Sequence, residues 1–243
     1  MMSAQFPSAT ALPRNLSHST AREIGLRVVR GDWPPGTVLP DEPSLCALFD
    51  VSRTVVREAI KMLSSKGMLE VRPRRGTTVL PRKRWSLLDP DLLHWHQTVA
   101  PSWQSLAQML EVRRIVEPEI AALAAERADL AASQAIRAAA DAIWAAVDTV
   151  NGYIEADVRF HSAVLAASGN EYLEAMAPLI FSGLNTSVRI TNPRPEVNRS
   201  SAALHEAVAT AIEQRDPEAA RRAMKTLLSD ARARVDLAYN PQV

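Results

Sequence analysis

Apolar residues recur at helical spacing through most of the chain and at alternate positions in one short stretch, and these two rhythms predict its elements. Ala21 to Arg30 reads as a first helix with Ile24, Leu26 and Val28 turned inward, stopped by Gly31. Trp33-Pro34-Pro35-Gly36 cannot be helix interior. Leu39-Pro40-Asp41-Glu42 opens a second helix that runs to about Phe49, with acids in the first turn where the macrodipole favours them. Asp50-Val51 turns into a third helix. Ser52 is placed to cap it, and Val55, Val56, Ala59, Ile60 and Leu63 form its apolar stripe up to Gly67.

Met68 to Arg72 and Thr77 to Leu80 then read as two strands around the turn Pro73-Arg74-Arg75-Gly76. Two short helices joined by a tight turn and followed by a hairpin make a winged helix-turn-helix. From Pro101 on, the pattern is helix after helix: Ser102–Arg127, Leu130–Val150, Tyr153–Ala167, Glu171 to about Ile190, Glu196–Gln214 and Pro217–Tyr239. Six or seven such helices pack as an antiparallel bundle. The expected fold is therefore mainly α: an N-terminal winged helix-turn-helix followed by an all-α antiparallel bundle. The expected divisions are a flexible arm at 1–19, the winged helix at 20–81, a linker and connecting helix at 82–100, and the bundle at 101–243. Trp85 and Trp95 lie in the linker and are expected to lock it onto apolar surface.

Charge sharpens this division. Residues 1–85 carry 14 Lys and Arg against 7 Asp and Glu, while residues 86–243 carry 14 against 20. A basic first third joined to an acidic remainder points to two domains, the first with a polyanionic partner. The single cysteine, Cys46, excludes a disulfide framework within the chain and fits a reducing cytoplasm. It reads as a small core residue rather than a reactive thiol. No apolar run approaches the roughly 20 residues of a membrane span. The polar start of the chain lacks the pattern of a signal peptide.

Two constellations carry chemistry. Arg53 and Arg57 are four apart and share a face near the start of the third helix, which suits insertion into a DNA major groove. Taken alone, the same helix fits an ordinary amphipathic element with solvated arginines. Arg74 and Arg75 at a wing tip suit phosphate or minor-groove contact. In the bundle, Asp157 and His161 stand at i and i+4 on one helical face, and His205 lies on a later helix. These could converge on a divalent metal, although core or capping histidines give the same pattern. No general base pair and no glycine-rich phosphate loop accompanies them, so an enzyme is not expected.

The motifs Pro34-Pro35-Gly36-x-x-Leu39-Pro40-x-Glu42-x-x-Leu45, Val51-Ser52-Arg53-Thr54-x-x-Arg57-Glu58-Ala59-x-x-x-Leu63, Gly67 and Arg75-Gly76-Thr77-x-Val79 resemble the GntR family of bacterial transcription regulators. The resemblance implies that Arg53 and Arg57 reach base edges, that Ser52 and Thr54 meet phosphate or base, and that Arg75 and Gly76 act at the wing. Pro43 stands where some members carry a further DNA-contacting arginine. The second half, with Glu111-x-Arg113-x-x-x-Glu117, Asp157-x-x-Phe160-His161, Asn170, His205 and Ala219-x-x-x-x-Met224, resembles the FCD ligand-binding bundle of the FadR subgroup.

That resemblance implies a divalent metal, Zn²⁺ first and Ni²⁺ or Mn²⁺ next, held by Asp157, His161 and His205. The fourth ligand position of the family pattern falls on Leu227. The runs Arg82-x-x-Trp85-x-x-Leu88-Asp89-x-Asp91-x-Leu93-x-Trp95 and Glu111-Val112-Arg113-x-x-Val116-Glu117-Pro118 look like those of family members that answer sugar acids such as D-galactonate. An effector site follows from this, with Arg113 for the carboxylate, Glu117 and Asn170 beside it, and Ser187, Arg189 and Asn192 as weaker candidates. Arg113 could equally pair with Glu117 one turn on. The implied partners are double-stranded operator DNA, a sugar-acid or other carboxylate effector and a second copy of the chain. The implied role is repression released by the effector, with activation as the alternative.

Overall fold

The computed structural model describes residues 12–99, 103–191 and 195–239, with side chains omitted at 12–15 and at Gln97. Contacts divide the chain into two compact units, one ending at Val99 and the other starting at Ala100.

The first unit is built from α1 (Leu12–Arg30), α2 (Glu42–Phe49), α3 (Arg53–Ser65), β1 (Leu69–Arg72), β2 (Gly76–Val79) and α4 (Pro90–Thr98). Asp41 caps α2 by accepting from the Ser44 N–H at 3.0 Å. Asp50, in the left-handed region at φ 52°, turns the chain toward α3. Ser52 caps α3 through the Val55 N–H at 3.4 Å, and Val55, Val56, Ala59 and Leu63 are buried beneath it. Ile60 is half-buried. The strands pair antiparallel with Leu69 opposite Val79 and Arg72 opposite Gly76, and Arg74 at the tip has φ 62°. Val38 bridges to Thr78, which ties the segment before α2 to the wing.

Two expectations are corrected here. α1 begins at Leu12, so residues 12–19, read from the sequence as arm, belong to a helix; Ser17 and Thr20 are buried on it. The segment 82–100, set apart in the expected divisions as linker and connecting helix, belongs as far as Val99 to the first unit, with its tryptophans packed on apolar surface as expected. Its Trp85, Leu92 and Trp95 join Ile24, Leu26, Leu63 and Met68 in one core. Lys66 seals the same segment by pairing with Asp89 at 2.8 Å and Asp91 at 2.7 Å, where Asp89 also caps α4. Polar composition hid the first turns of α1, and the partners of the two tryptophans come from residues distant in sequence.

Gly25 explains how α4 docks. A Cβ built there would lie 2.3 Å from Cζ3 of Trp95, which is 3% exposed. In an open helix Gly→Ala stabilises by about 1 kcal/mol. Here overpacking should reverse the sign, at a cost of about 1–3 kcal/mol. Gly25→Ala is expected to lower the melting temperature of the first unit, with Trp95→Leu in the same chain restoring part of the loss. A higher melting temperature for Gly25→Ala would contradict the close approach.

The second unit comprises α5 (Trp103–Arg127), α6 (Leu130–Ala145), α7 (Val150–Ala167), α8 (Glu171–Glu174), α9 (Ala177–Thr191), α10 (Pro195–Glu213) and α11 (Pro217–Tyr239). The stretch read from sequence as one helix from Glu171 is two, broken at Ala175-Met176. Ile115 of α5 is apolar yet 66% exposed. α5 packs on α7, α9, α10 and α11, and α7 packs on α6 and α9. The core runs through Ile120, Phe160, Ile180, Val208 and Met224. Among the described residues no helix is long and apolar enough to cross a membrane.

Candidate functional site

α3 presents one face of the first unit. Its stripe of Val55, Val56, Ala59 and Leu63 faces the core, so Arg53, Thr54 and Arg57 must face out. Ser52, Arg53, Thr54, Arg57, Arg75 and Gly76 are all exposed, as the sequence implied. The side chains of Arg53 and Arg57 are 71% and 66% exposed. Ser52 also has a local duty as helix cap. Gly76, at φ 84° beside Val38, closes the wing turn in a conformation that disfavours a side chain. Glu42, which the sequence reading placed only in the first turn of α2, accepts from Arg57 Nε at 2.7 Å.

The second constellation lies where α5, α7 and α10 meet. Asp157, His161 and His205 are each at most 3% exposed, and one ligand atom from each falls within 4.8 Å of the others. It is the one such group among the described residues. His205 Nδ1 lies 2.7 Å from the Ser201 carbonyl oxygen. A carbonyl can only accept, so Nδ1 carries hydrogen and the neutral ring offers its lone pair at Nε2. That nitrogen points at Asp157 Oδ1, 2.7 Å away. Two electron-rich atoms so close, in a site this buried, call for a proton or a cation between them.

His161 is arranged the same way. Its Nδ1 lies 2.5 Å from Glu117 Oε2, and its Nε2 faces Asp157 Oδ1 at 3.7 Å. A ligating histidine whose other nitrogen is held by a carboxylate or carbonyl is the usual support of a metal site. Phe160 fixes both rings edge-on, with centroids 5.6 Å from His161 and 5.0 Å from His205. Burial pushes the Glu117 carboxyl up, but the charges of Arg113 and His161 outweigh it and hold the group down at about 2. Burial likewise opposes ionisation of Asp157; with a proton on His205 Nε2 in place of a cation, that N–H leads the groups that hold its value below normal. The donor set of one carboxylate and two imidazoles, with second partners in place, fits a divalent cation.

Arg113 completes the site. It is 2% exposed, and its Nε lies 2.5 Å from Glu117 Oε1. Its Nη1 is buried without a hydrogen-bond partner. The cavity beside it is small, about 20 Å³, close to the room of a single water. Arg113, Asp157, His161 and His205 line it together with Ser187 and Thr191 of α9 and Leu227 of α11. Leu227 thus stands at the wall where the family pattern places a fourth ligand. Tyr153 and Ser201 also line the cavity, and the Tyr153 hydroxyl is buried without a hydrogen-bond partner. The sequence reading missed both, since neither belongs to a metal-ligand pattern.

Three expected effector residues do not line the cavity: Glu117, whose carboxylate pairs with Arg113 and His161, Asn170 and Arg189. Asn170 spends its side chain capping α8, accepting from the Tyr172 N–H at 3.0 Å and the Leu173 N–H at 3.3 Å. Arg189 is exposed and bonded to Asn185 and Asn151. Ser187 is there, with its hydroxyl donating to the Leu184 carbonyl. Asn192 lies outside the described residues.

An exposed arginine helix beside a wing, followed by a helical bundle around a buried Asp-His-His cluster, defines a ligand-responsive DNA-binding regulator. Comparison with known proteins agrees. Residues 16–79 match the model of the bacterial regulatory proteins of the gntR family, and residues 108–230 match that of the FCD domain. The chain belongs to the GntR family and carries an FCD domain; it is a transcriptional regulator, not an enzyme. Its relatives include the uncharacterized HTH-type regulator YieP of Escherichia coli K12, 35% identical over 90% of this chain and 94% of that protein. The galactonate operon transcriptional repressor of the same organism is 33% identical over 87% and 93%. The solved structure of Lar, described as controlling expression of the Listeria monocytogenes agr system, shares the fold with a TM-score of 0.62 at 17% identity, covering 96% of this chain and 98% of that one.

Proposed function

We propose that this protein is a cytoplasmic, homodimeric repressor that releases its operator when a sugar acid of the galactonate class binds in the bundle cavity. The observation that carries the reading is the unpartnered Nη1 of Arg113, buried beside Asp157, His161 and His205. Guanidinium pairs well with a carboxylate, and a buried donor without a partner is costly until it is paired. Asp157, His161 and His205 would hold the cation, Zn²⁺ by donor type, which supplies a Lewis-acidic anchor for a carboxylate or hydroxyl oxygen. Leu227 in place of a fourth ligand leaves room for effector oxygens. The kinship with the galactonate operon repressor supports the effector class.

On the DNA side, Arg53 and Arg57 read base edges, Thr54 and the Ser52 end of α3 meet phosphate or base, and Arg75 with Gly76 approaches the minor groove. A dimer places two such helices on a two-fold symmetric operator. A cavity of about 20 Å³ is smaller than a six-carbon acid, so its lining has to open to accept one. Effector binding therefore favours a second conformation, and a coupling of about 1–3 kcal/mol is typical.

A thermal-shift screen of sugar acids, with and without added Zn²⁺, tests this reading. D-galactonate or a close stereoisomer is expected to raise the melting temperature in the presence of metal and to do little after chelation. If no sugar acid or other hydroxy acid shifts the metal-loaded protein, the effector assignment fails.

A further inference from the structure

Glu42 makes a contact that folding alone does not require. It opens α2, in the first turn where the helix dipole favours an anion. Its side chain is 26% exposed, and its carboxylate reaches across to both arginines of α3. Oε2 accepts from Arg57 Nε at 2.7 Å, while Oε1 lies 3.9 Å from Arg53 Nε. The two helices are joined by a turn only a few residues long, yet Glu42 and Arg57 are 15 positions apart, so the fold builds this contact.

Both contacts use Nε. The terminal guanidinium nitrogens make the fork that matches guanine O6 and N7. Gripping Arg57 at Nε narrows the rotamers of a long side chain while leaving its terminal nitrogens unengaged by Glu42. An anion beside the reading face has a second effect. Binding to arbitrary DNA comes from cation–phosphate attraction, and a neighbouring carboxylate offsets part of it. At a matched sequence the fork gains base contacts that the carboxylate does not compete for.

We propose that Glu42 is a positioning residue for sequence discrimination: it orients Arg57, and more loosely Arg53, toward base edges and weakens their attraction to non-specific phosphate. The proposal rests on the reading of α3 as the DNA-reading helix. Ion pairs this exposed add little to folding stability, so Glu42→Gln should melt close to wild type.

The test uses the full-length protein and a duplex that the wild type selects from a random-sequence pool. Dissociation constants are measured for that duplex and for a scrambled one of equal length, across a salt series, for wild type, Glu42→Gln, Arg57→Ala and the double variant. Glu42→Gln is expected to bind the scrambled duplex several-fold more tightly, with a steeper salt dependence, and to lower the selected-to-scrambled affinity ratio by about 10-fold, within the range of one bidentate base contact. In the Arg57→Ala background the same change should alter the ratio less than about 2-fold, because the residue it acts through is gone. An unchanged ratio in Glu42→Gln, or an equal fall with and without Arg57, overturns the proposal. A wild-type ratio in Arg57→Ala alone would instead show that Arg57 does not read bases, and the role of Glu42 would fall with that reading.

Discussion

Arg57→Ala is expected to weaken binding to the operator by about 10- to 100-fold per half-site, with little change in melting temperature. A bidentate arginine–guanine contact is worth about 1–3 kcal/mol, and the proposed dimer would lose two of them. The side chain is 66% exposed and touches Glu42 rather than the core, so its removal opens no cavity. Arg53→Ala is expected to behave in the same way. Arg75→Ala, at the wing, should weaken all duplexes more evenly and reduce the salt dependence, as loss of a phosphate or minor-groove contact does. Gel shifts with a selected and a scrambled duplex separate the two patterns. Wild-type affinity for the selected duplex in both α3 variants would remove α3 from the interface.

The second large effect concerns the metal. Chelation is expected to lower the melting temperature of the second unit, and added Zn²⁺ to restore it. A cation bound to the folded state alone stabilises it by about 2.7 kcal/mol at 100 times its dissociation constant. His205→Ala should abolish the response, since it removes the imidazole whose Nε2 faces Asp157. Leu227→His should strengthen it, because Leu227 lines the same cavity as the three ligands and a fourth would close the shell. Elemental analysis of protein purified without added ions gives an independent reading. If no divalent ion copurifies, none stabilises, and the variants melt alike with and without chelator, the Asp-His-His cluster is a buried hydrogen-bond network and not a metal site.

The DNA-binding half was legible because its signals are local. Ser52 announces a cap, the Val55–Leu63 stripe announces a buried face, and Arg75-Gly76 marks a turn between alternating strands. What escaped was tertiary. That Trp85 and Trp95 pack on apolar surface was legible, but nothing near them in sequence says that Gly25 leaves space for the Trp95 indole. The Glu42–Arg57 contact joins two helices and has no spacing signature.

In the bundle, Asp157 and His161 share a face by helical periodicity, but nothing local places His205 beside them. The residue types alone made it a candidate beside core or capping histidines, the family resemblance favoured it as a ligand, and the packing of α10 against α5 and α6 brings it there. The same resemblance put Asn170 in the effector site. The helix-terminal setting that it shares with Ser168-Gly169 already suited a cap, and capping is what its side chain does. Tyr153 carries no ligand signature, although it lies one turn before Asp157 on the same face of α7 and reaches the cavity.

The central claim is that the buried cavity controls the exposed helix. The most direct measurement is the affinity of full-length, Zn²⁺-loaded protein for its selected duplex as D-galactonate is titrated in, repeated after chelation. Affinity is expected to fall about 5- to 150-fold, the range of typical allosteric coupling, and to stay constant when the metal is removed. Binding of the acid to the metal-loaded protein with no change in affinity for the duplex would contradict the account.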